Sequence, residues 1–229
     1  PEYKDQPDEY IDQVCQWLPI LYEEGLVDAV DAFCENIAFS PEQVSKVFDV
    51  AQSLGLPVKL HAEQLSDMGG AGLVAAYEGL SADHIEYLNG NNIEKMADKG
   101  VVGVLVARAF CVVRETRLPP IDCMRQQGIS MAVSTDCNPG TSPSTSLLLA
   151  MNMACTLFQL TPEEALAGTT RHAAKALGLE HHKGQLKVGF DADIAFWDIS
   201  RPAELSYLIG QNTLQTLLVG GKGYNLSAQ

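Results

Sequence analysis

The sequence predicts an α/β fold in which parallel strands alternate with helices. Apolar, extended runs recur between residues 26 and 136, and segments with helical spacing and capping signals separate them. The runs end near positions 34, 61, 84, 107 and 136, at intervals of roughly 22–30 residues, the length of one strand, one helix and two loops. Strands connected in this way run parallel, so an open doubly wound sheet and part of an eight-stranded βα barrel both fit.

Strand and helix segments can be assigned in order as far as residue 136. Ser40, Pro41 and Gln43 form a capping box at the start of one helix, and Gly55 ends that helix. The alternation predicts the strand LVDAVDAF (26–33), the helix opened by SPEQ (40–43), the strand PVKLH (57–61), the helix GGAGLVAAYEGL (69–80), a short strand in SADHIEYL (81–88), the helix NNIEKMADKG (91–100), a strand in VVGVLVARAF (101–110), the helix PPIDCMRQQG (119–128) and the strand ISMAVSTD (129–136).

The pattern changes after residue 146. The nearly all-apolar run SLLLAMNMACTLFQL predicts a helix that is buried on most sides. Thr161, Pro162 and Glu164 form a second capping box at the start of TPEEALAGTT, and TRHAAKALGL predicts a third helix, which ends at Gly178. From residue 184 onward, short apolar runs separated by glycine and aspartate turns predict strands. We therefore predict a βα-barrel portion over residues 1–183 and, mainly, part of a small β-sandwich over residues 184–229.

Composition and charge exclude several classes of function. The net charge of −14 disfavours nucleic acid and anionic membranes as partners. No run of 18 apolar residues is present, and we expect no secretory signal. Six scattered cysteines without a CxxC pair predict unpaired thiols in a reducing, cytoplasmic compartment, and neither a disulfide framework nor a zinc finger. Because the chain begins without Met, we expect it to be a piece of a longer protein.

Three ionisable residues, His61, His84 and Asp136, each follow an apolar run that we assign as a strand. Taken singly, each has an ordinary explanation, because core histidines and turn-forming aspartates are common. Taken together, they occupy equivalent positions in repeated units, and the carboxyl ends of parallel strands carry the chemistry in both candidate folds. We therefore expect the three side chains to stand on one face and to point at one another.

These residue types suit metal-assisted hydrolysis. Neutral imidazole and carboxylate are good ligands for a divalent transition metal, and such a metal lowers the pKa of bound water. A second histidine can stabilise a developing oxyanion, and a carboxylate can transfer the proton of the water to a leaving group.

Weaker candidates surround this set. The loop CNPGTSPSTS (137–146) offers an amide at Asn138, a backbone N–H at Gly140 and a hydroxyl at Thr141 for a polar small molecule, although it could equally be an ordinary turn-rich connection. His172, His181 and His182 are expected to be structural or exposed, because they lack metal-site spacing. Glu35 follows a strand and could support the same rim.

With these residues assembled, the chain resembles the amidohydrolase superfamily. The resemblance is carried by VDAFCENIAFS, KLHAEQLS, GLSADHIEYL, RETRLPP, VSTDCNPGTSP, TRHAAKALGL and GQLKVGFDADIAFWD, which span nearly the whole chain. It implies a TIM-type (β/α)8 barrel, of which about the last five βα units are present. It also implies metal-dependent hydrolysis of the cyclic amide of 4-imidazolone-5-propanoate to N-formimidoyl-L-glutamate, in histidine degradation.

The resemblance assigns a role to each candidate residue. It implies that His61 and Asp136 bind one divalent metal, zinc or iron, and that Asp136 also transfers a proton. His84 would polarise the substrate carbonyl, and Gln64 would contact the imidazolone ring. Asn138, Gly140 and Thr141 would bind substrate or product. The implied partners are this small molecule and, for some family members, a second copy of the chain.

The chain also departs from the family, and two alternatives follow. The family's HxH pair and the upstream arginine, tyrosine and histidine that grip the substrate are absent, and the segment 101–110 is atypical. One alternative is a deaminase of a heteroaromatic ring, which usually carries glutamate at the position of Gln64, whereas here Glu63 precedes that position. The other is a catalytically incomplete piece with only a structural or binding role.

Overall fold

The computed structural model describes residues 2–225, which form two compact units. The first unit contains the described part of Pro1–Gly103 together with Arg117–Ile129, and the second contains Val104–Thr116 and the described part of Ser130–Gln229. In chain order the elements are α1 (Pro7–Glu23), β1 (Phe33–Cys34), α2 (Pro41–Ser53), β2 (Lys59–Ala62), α3 (Gly70–Ala76), β3 (Ser81–His84), α4 (Gly90–Lys99), β4 (Val102–Leu105), α5 (Ala107–Val113), α6 (Ile121–Gln126), β5 (Met131–Val133), α7 (Leu147–Leu157), α8 (Pro162–Gly168), α9 (Arg171–Ala176), β6 (Ile194–Trp197), α10 (Glu204–Tyr207), β7 (Leu214–Val219) and β8 (Lys222–Asn225).

The first five strands follow one another in a sheet in the order β1-β2-β3-β4-β5. In the first unit, β1 pairs with β2 and β2 with β3, both in parallel, and His61 lies opposite Asp83. β4 begins in that unit, where the Val102 N–H donates to the Leu80 carbonyl, and ends in the second unit. The predicted alternation of helices with a parallel sheet is therefore confirmed.

The second unit contains a separate antiparallel sheet of three strands in the order β6-β7-β8. Met151 of α7, Ala165 of α8 and Leu205 of α10 form a buried apolar cluster, against which Trp197 of β6 packs. Strands are therefore present after residue 184, as the glycine and aspartate turns predict. The domain boundary near residue 183 stays a prediction.

Both predicted capping boxes are present. The Ser40 hydroxyl accepts the Gln43 N–H while the Gln43 side chain accepts the Ser40 N–H, and Thr161 and Glu164 make the same reciprocal pair. α2 then buries Val44, Val47, Phe48 and Ala51, which lie on one face at helical spacing. The local signals therefore determine where these helices begin and which side packs.

Some elements differ from the sequence prediction. β1 contains only two residues, and the rest of the predicted run pairs through an isolated bridge between Val30 and Val58. α1 was not predicted, because its buried side chains, Ile11 and Leu18, form too narrow a stripe to stand out. In the atypical segment 101–110, the strand ends at Leu105 and α5 follows, since a short apolar run cannot distinguish a strand from a buried helix.

Less of the surface of α7 is buried than the sequence predicts. Within this helix Ala150, Met151 and Ala154 are buried, whereas Leu147 is about half exposed. All six cysteines are free, in agreement with the prediction of unpaired thiols. Within residues 2–225, no helix combines the length and apolar character needed to cross a membrane.

Gly79 provides a test of packing in the first unit. A Cβ atom at this position would lie 2.8 Å from the Val58 carbonyl oxygen and 2.7 Å from Val74 Cγ1. Because backbone cannot yield as a flexible side chain can, we expect Gly79→Ala to destabilise the protein by about 1–3 kcal/mol. The midpoint of urea unfolding measures this loss. Gly90→Ala is the matched control, since a Cβ there meets nothing within 4 Å, and equal midpoints for the two variants would contradict the packing argument.

His172 provides a test of pH dependence in the second unit. Its Nδ1 lies 3.0 Å from the Met131 carbonyl oxygen, and burial lowers its pKa below the ordinary value of 6.5. The folded state therefore binds this proton less tightly than the unfolded state. We expect the stabilising contribution to be complete above pH 6.5 and to be lost as the pH falls through the lowered pKa.

The measurement is the melting temperature between pH 7.5 and pH 5, compared with that of His172→Gln. The variant should lose less stability over this range than the wild type. His182→Gln, at an exposed position, is the control and should follow the wild type. Identical pH profiles for His172→Gln and the wild type would refute the assignment.

Candidate metal centre

Two of the predicted site residues lie side by side in the first unit. The His61 and His84 rings have centroids 5.4 Å apart and planes tilted by 50°. His61 belongs to β2 and is partly exposed, whereas His84 ends β3 and is buried. Parallel pairing of β2 with β3 brings the two imidazoles to the same edge, as their positions at strand ends predict.

Asp31 orients His61. Its Oδ2 lies 2.9 Å from His61 Nδ1, and because a carboxylate accepts hydrogen bonds, this contact assigns a ring proton to Nδ1. A carboxylate that accepts the second N–H of an imidazole is a typical partner of a metal-binding histidine. We did not single out Asp31 from the sequence, where its only signal is a charge inside an otherwise apolar run.

A buried ionic group lies next to His61. Lys59 Nζ lies 2.7 Å from Ser81 Oγ and 3.4 Å from Asp83 Oδ2, and the Ser81 hydroxyl donates to Asp83 Oδ1 at 2.6 Å. Burial raises the pKa of Asp83, and the Lys59 ammonium opposes that shift. Asp31, His61 and Asp83 offer three donor atoms within 4.8 Å of one another. Lys59 already neutralises Asp83, however, which weakens that carboxylate as a metal ligand.

Backbone strain is concentrated at the strand ends that carry the candidate residues. Glu63, His84, Ile85 and Asp136 have positive φ angles of 52°, 82°, 65° and 46°. This region is uncommon for residues other than glycine, and such strain is typical of functional sites. The sequence shows no sign of it, because none of these positions is a glycine.

Asp136 lies in the second unit, where Asn138 organises the loop that follows it. The Asn138 amide donates to the Asp136 carbonyl oxygen at 2.7 Å and to Asp136 Oδ2 at 3.2 Å. Its Oδ1 accepts the N–H groups of Gly140 and Thr141 at 2.9 and 2.8 Å. The four predicted residues are thus close together, but the Gly140 N–H that was expected to face a ligand already has a partner in this loop.

Glu63 and Gln64 are both buried, and they have different surroundings. Glu63 Oε2 accepts the Ala71 N–H at 2.9 Å, and burial raises the pKa of Glu63 to about 7. This carboxylate therefore anchors the start of α3. A proton-transferring glutamate next to His61, which the deaminase alternative requires, gains no support from this contact.

Asp31 makes the orientation of His61 testable. In the full-length gene product, we expect Asp31→Asn to weaken zinc binding by about 10–100-fold, because the neutral amide supports the imidazole less strongly. Competition with a chromophoric chelator measures the zinc dissociation constant. Asp28→Asn, at an exposed position in the same run, is the control. Equal zinc affinities in the two variants would show that Asp31 does not support this ligand.

The chain is similar to a known protein family. The model described as the amidohydrolase family matches residues 21–223. The chain belongs to the amidohydrolase family. The match covers most of the chain, so the resemblance identified from sequence motifs is confirmed.

Relatives within the amidohydrolase family extend the comparison. Imidazolonepropionase from Psychrobacter cryohalolentis is 62% identical over 221 residues, which cover 96% of this chain and 52% of the relative. Imidazolonepropionase from Ralstonia nicotianae is 63% identical over 213 residues, which cover 93% and 52%. The chain therefore spans about half the length of the curated relatives that it matches.

Solved structures agree on the fold. An atrazine chlorohydrolase from Arthrobacter aurescens, complexed with zinc, matches with a TM-score of 0.76 at 20% identity. The match covers 93% of this chain and 55% of the chlorohydrolase chain. An adenosine deaminase from Xanthomonas campestris, with bound zinc, matches with a TM-score of 0.71 at 20% identity. The match covers 94% of this chain and 56% of the deaminase chain. At this identity the likeness supports an amidohydrolase α/β fold and leaves the reaction open.

Proposed function

We propose that the chain is part of an imidazolonepropionase. The reaction adds water across the cyclic amide of 4-imidazolone-5-propanoate, breaks the C–N bond and yields N-formimidoyl-L-glutamate. The observation that carries the proposal is the 62% identity with a relative of that name over 96% of the chain. The pair of strand-end imidazoles, with Asp31 orienting one of them, supports it.

We propose His61 and Asp136 as ligands of one divalent metal. Imidazole and carboxylate suit zinc and iron alike, and zinc in the two neighbouring structures favours zinc. The contact between Asp31 and His61 Nδ1 fits such a role, since metal-binding histidines typically donate their other ring N–H to a carboxylate. When bound, the metal supplies Lewis-acid activation of water at neutral pH.

The remaining steps belong to side chains of this chain. Asp136 takes a proton from the attacking water and passes it to the departing amidine nitrogen. His84 donates a hydrogen bond to the ring carbonyl oxygen as negative charge develops there. Gln64 contacts the imidazolone ring, and Asn138, Gly140 and Thr141 hold substrate or product. The amide of glutamine neither gains nor loses a proton near neutral pH and so cannot relay one, which favours ring opening over deamination.

The proposal extends to architecture. The sheet β6-β7-β8 is proposed as part of a small β-sandwich, and the first five strands as part of a (β/α)8 barrel. A cytoplasmic homodimer is proposed for the gene product. Light scattering coupled to gel filtration measures the oligomeric state, and a monomeric mass would remove the dimer from the proposal.

The test is a substrate comparison with the full-length gene product and with the chain alone. We expect the full-length protein to consume imidazolonepropionate and to form N-formimidoylglutamate, detected by mass spectrometry, without releasing ammonia from guanine or aminopyrimidines. Ammonia release would favour the deaminase. If the folded full-length protein binds no metal and acts on none of these compounds, both enzymatic functions are excluded and only the structural role remains.

A further inference from the structure

Glu35 is a buried carboxylate that holds the loop following β2. It comes directly after β1, and only 1% of its surface is exposed. Its Oε1 accepts the N–H groups of Gln64 and Leu65 at 2.6 and 2.9 Å, and its Oε2 accepts the Ser66 hydroxyl at 2.5 Å. One side chain therefore satisfies donors from three consecutive residues.

The same loop is fixed at its beginning. The Glu63 carbonyl accepts the Tyr87 N–H at 2.7 Å, and the Glu63 carboxylate accepts the Ala71 N–H. Glu63 itself has a positive φ, so the chain turns sharply away from β2 at this residue. Beyond that turn, Glu35 is the side chain that receives the next two backbone N–H groups. The position of the Gln64 backbone, from which its side chain extends, consequently depends on Glu35.

Burial makes this dependence strong. Gln64 is only 8% exposed, so water cannot readily replace Glu35 as the acceptor of the Gln64 N–H. Hydrogen bonds to an ionised acceptor are shorter and stronger than neutral ones. A neutral glutamine in its place would keep one acceptor oxygen for the two N–H groups but lose the charge, and its NH2 group could not accept the Ser66 hydroxyl, so the loop would be held less firmly and would shift.

We propose that Glu35 is a positioning residue that acts through Gln64, setting the place of that amide against the substrate ring. This inference rests on the proposed function, in which Gln64 contacts the imidazolone. Displacement of a substrate-binding group by about 1 Å costs on the order of 100-fold in rate. The effect should leave metal binding unchanged, because Glu35 contacts neither His61 nor Asp31 through any of these bonds.

The experiment is a double-mutant cycle in the full-length gene product with Glu35→Gln and Gln64→Ala. We expect Glu35→Gln to lower kcat/KM by about 10–100-fold, mainly through KM, with unchanged zinc content. In the Gln64→Ala background, the same substitution should change kcat/KM by less than about twofold, because coupled residues are not additive. Glu24→Gln, at an exposed position, is the control for loss of charge.

The other outcomes of this experiment contradict either the positioning role of Glu35 or the proposed function. The same fold-loss in both backgrounds, or loss of zinc, would overturn the positioning role while leaving the proposed function standing. If Glu35→Gln does not fold, Ser66→Ala replaces it in the cycle, since that change removes one of the three bonds and should show the same non-additivity. A zinc-loaded wild type inactive on imidazolonepropionate would overturn the proposed function, and this inference with it.

Discussion

The full-length gene product carrying His61→Ala is expected to lose its metal and nearly all of its activity. Elemental analysis should fall from about one zinc or iron per chain to a small fraction, because alanine offers no donor atom. Unassisted water has a pKa near 15.7, against about 7 when it is metal-bound. We therefore expect kcat/KM to fall by at least about four orders of magnitude.

His182→Ala is the matched control for His61→Ala, since it removes an imidazole from an exposed position. It should retain both metal and activity. Circular dichroism and the melting temperature establish that both variants fold. A His61→Ala protein that keeps its metal would exclude this histidine as a ligand, and one that loses metal yet keeps its activity would exclude the metal-dependent mechanism.

Replacing Asp136 with asparagine should abolish the proposed proton transfer and weaken the proposed metal site, so the variant is assayed at saturating zinc to keep the metal bound. The amide has nearly the shape of the carboxylate and can still accept the Asn138 N–H, so the loop should stay in place. It cannot accept a proton from water at neutral pH, and we expect kcat to fall by about 10²–10⁴-fold. KM should change much less, because Gln64 and the loop residues remain.

The measurement for Asp136→Asn is steady-state kinetics at saturating zinc, which gives kcat and KM separately. Asp198→Asn, at an exposed position, is the control. An Asp136→Asn enzyme with wild-type kcat at saturating zinc would assign proton transfer to another group.

The sheet edge that carries His61 and His84 shows how far the sequence can predict a candidate site. His61 and His84 could be paired in advance, because parallel strands place their carboxyl ends together and each histidine follows an apolar run. Asp31 could not be assigned a role in this way, and for Glu35 the sequence suggested only support of the same rim. Their contacts with His61 and with residues 64–66 join segments about thirty positions apart, and no local pattern specifies which way a side chain turns.

Asn138 illustrates the same limit within one loop. From the sequence, its amide and the Gly140 N–H both looked available to a ligand, since turn-rich segments expose polar groups. In the structure the Asn138 amide oxygen accepts the Gly140 N–H, and the Asn138 NH2 group donates to Asp136. The polar groups of the loop are thus bonded to one another. Residue types alone do not distinguish such a loop from one whose polar groups are open to a ligand.

The amino-acid sequence by itself determined the alternation of strands and helices, both capping boxes and the positions of the candidate metal ligands. These features depend on local propensity, periodicity and short-range hydrogen bonds, which are written in consecutive residues. Only the tertiary structure decided that α1 and α5 are helices, that Asp31 orients His61, and that Glu35 holds the loop of Gln64. Those outcomes depend on burial and on partners distant in the chain, where packing outweighs local preference.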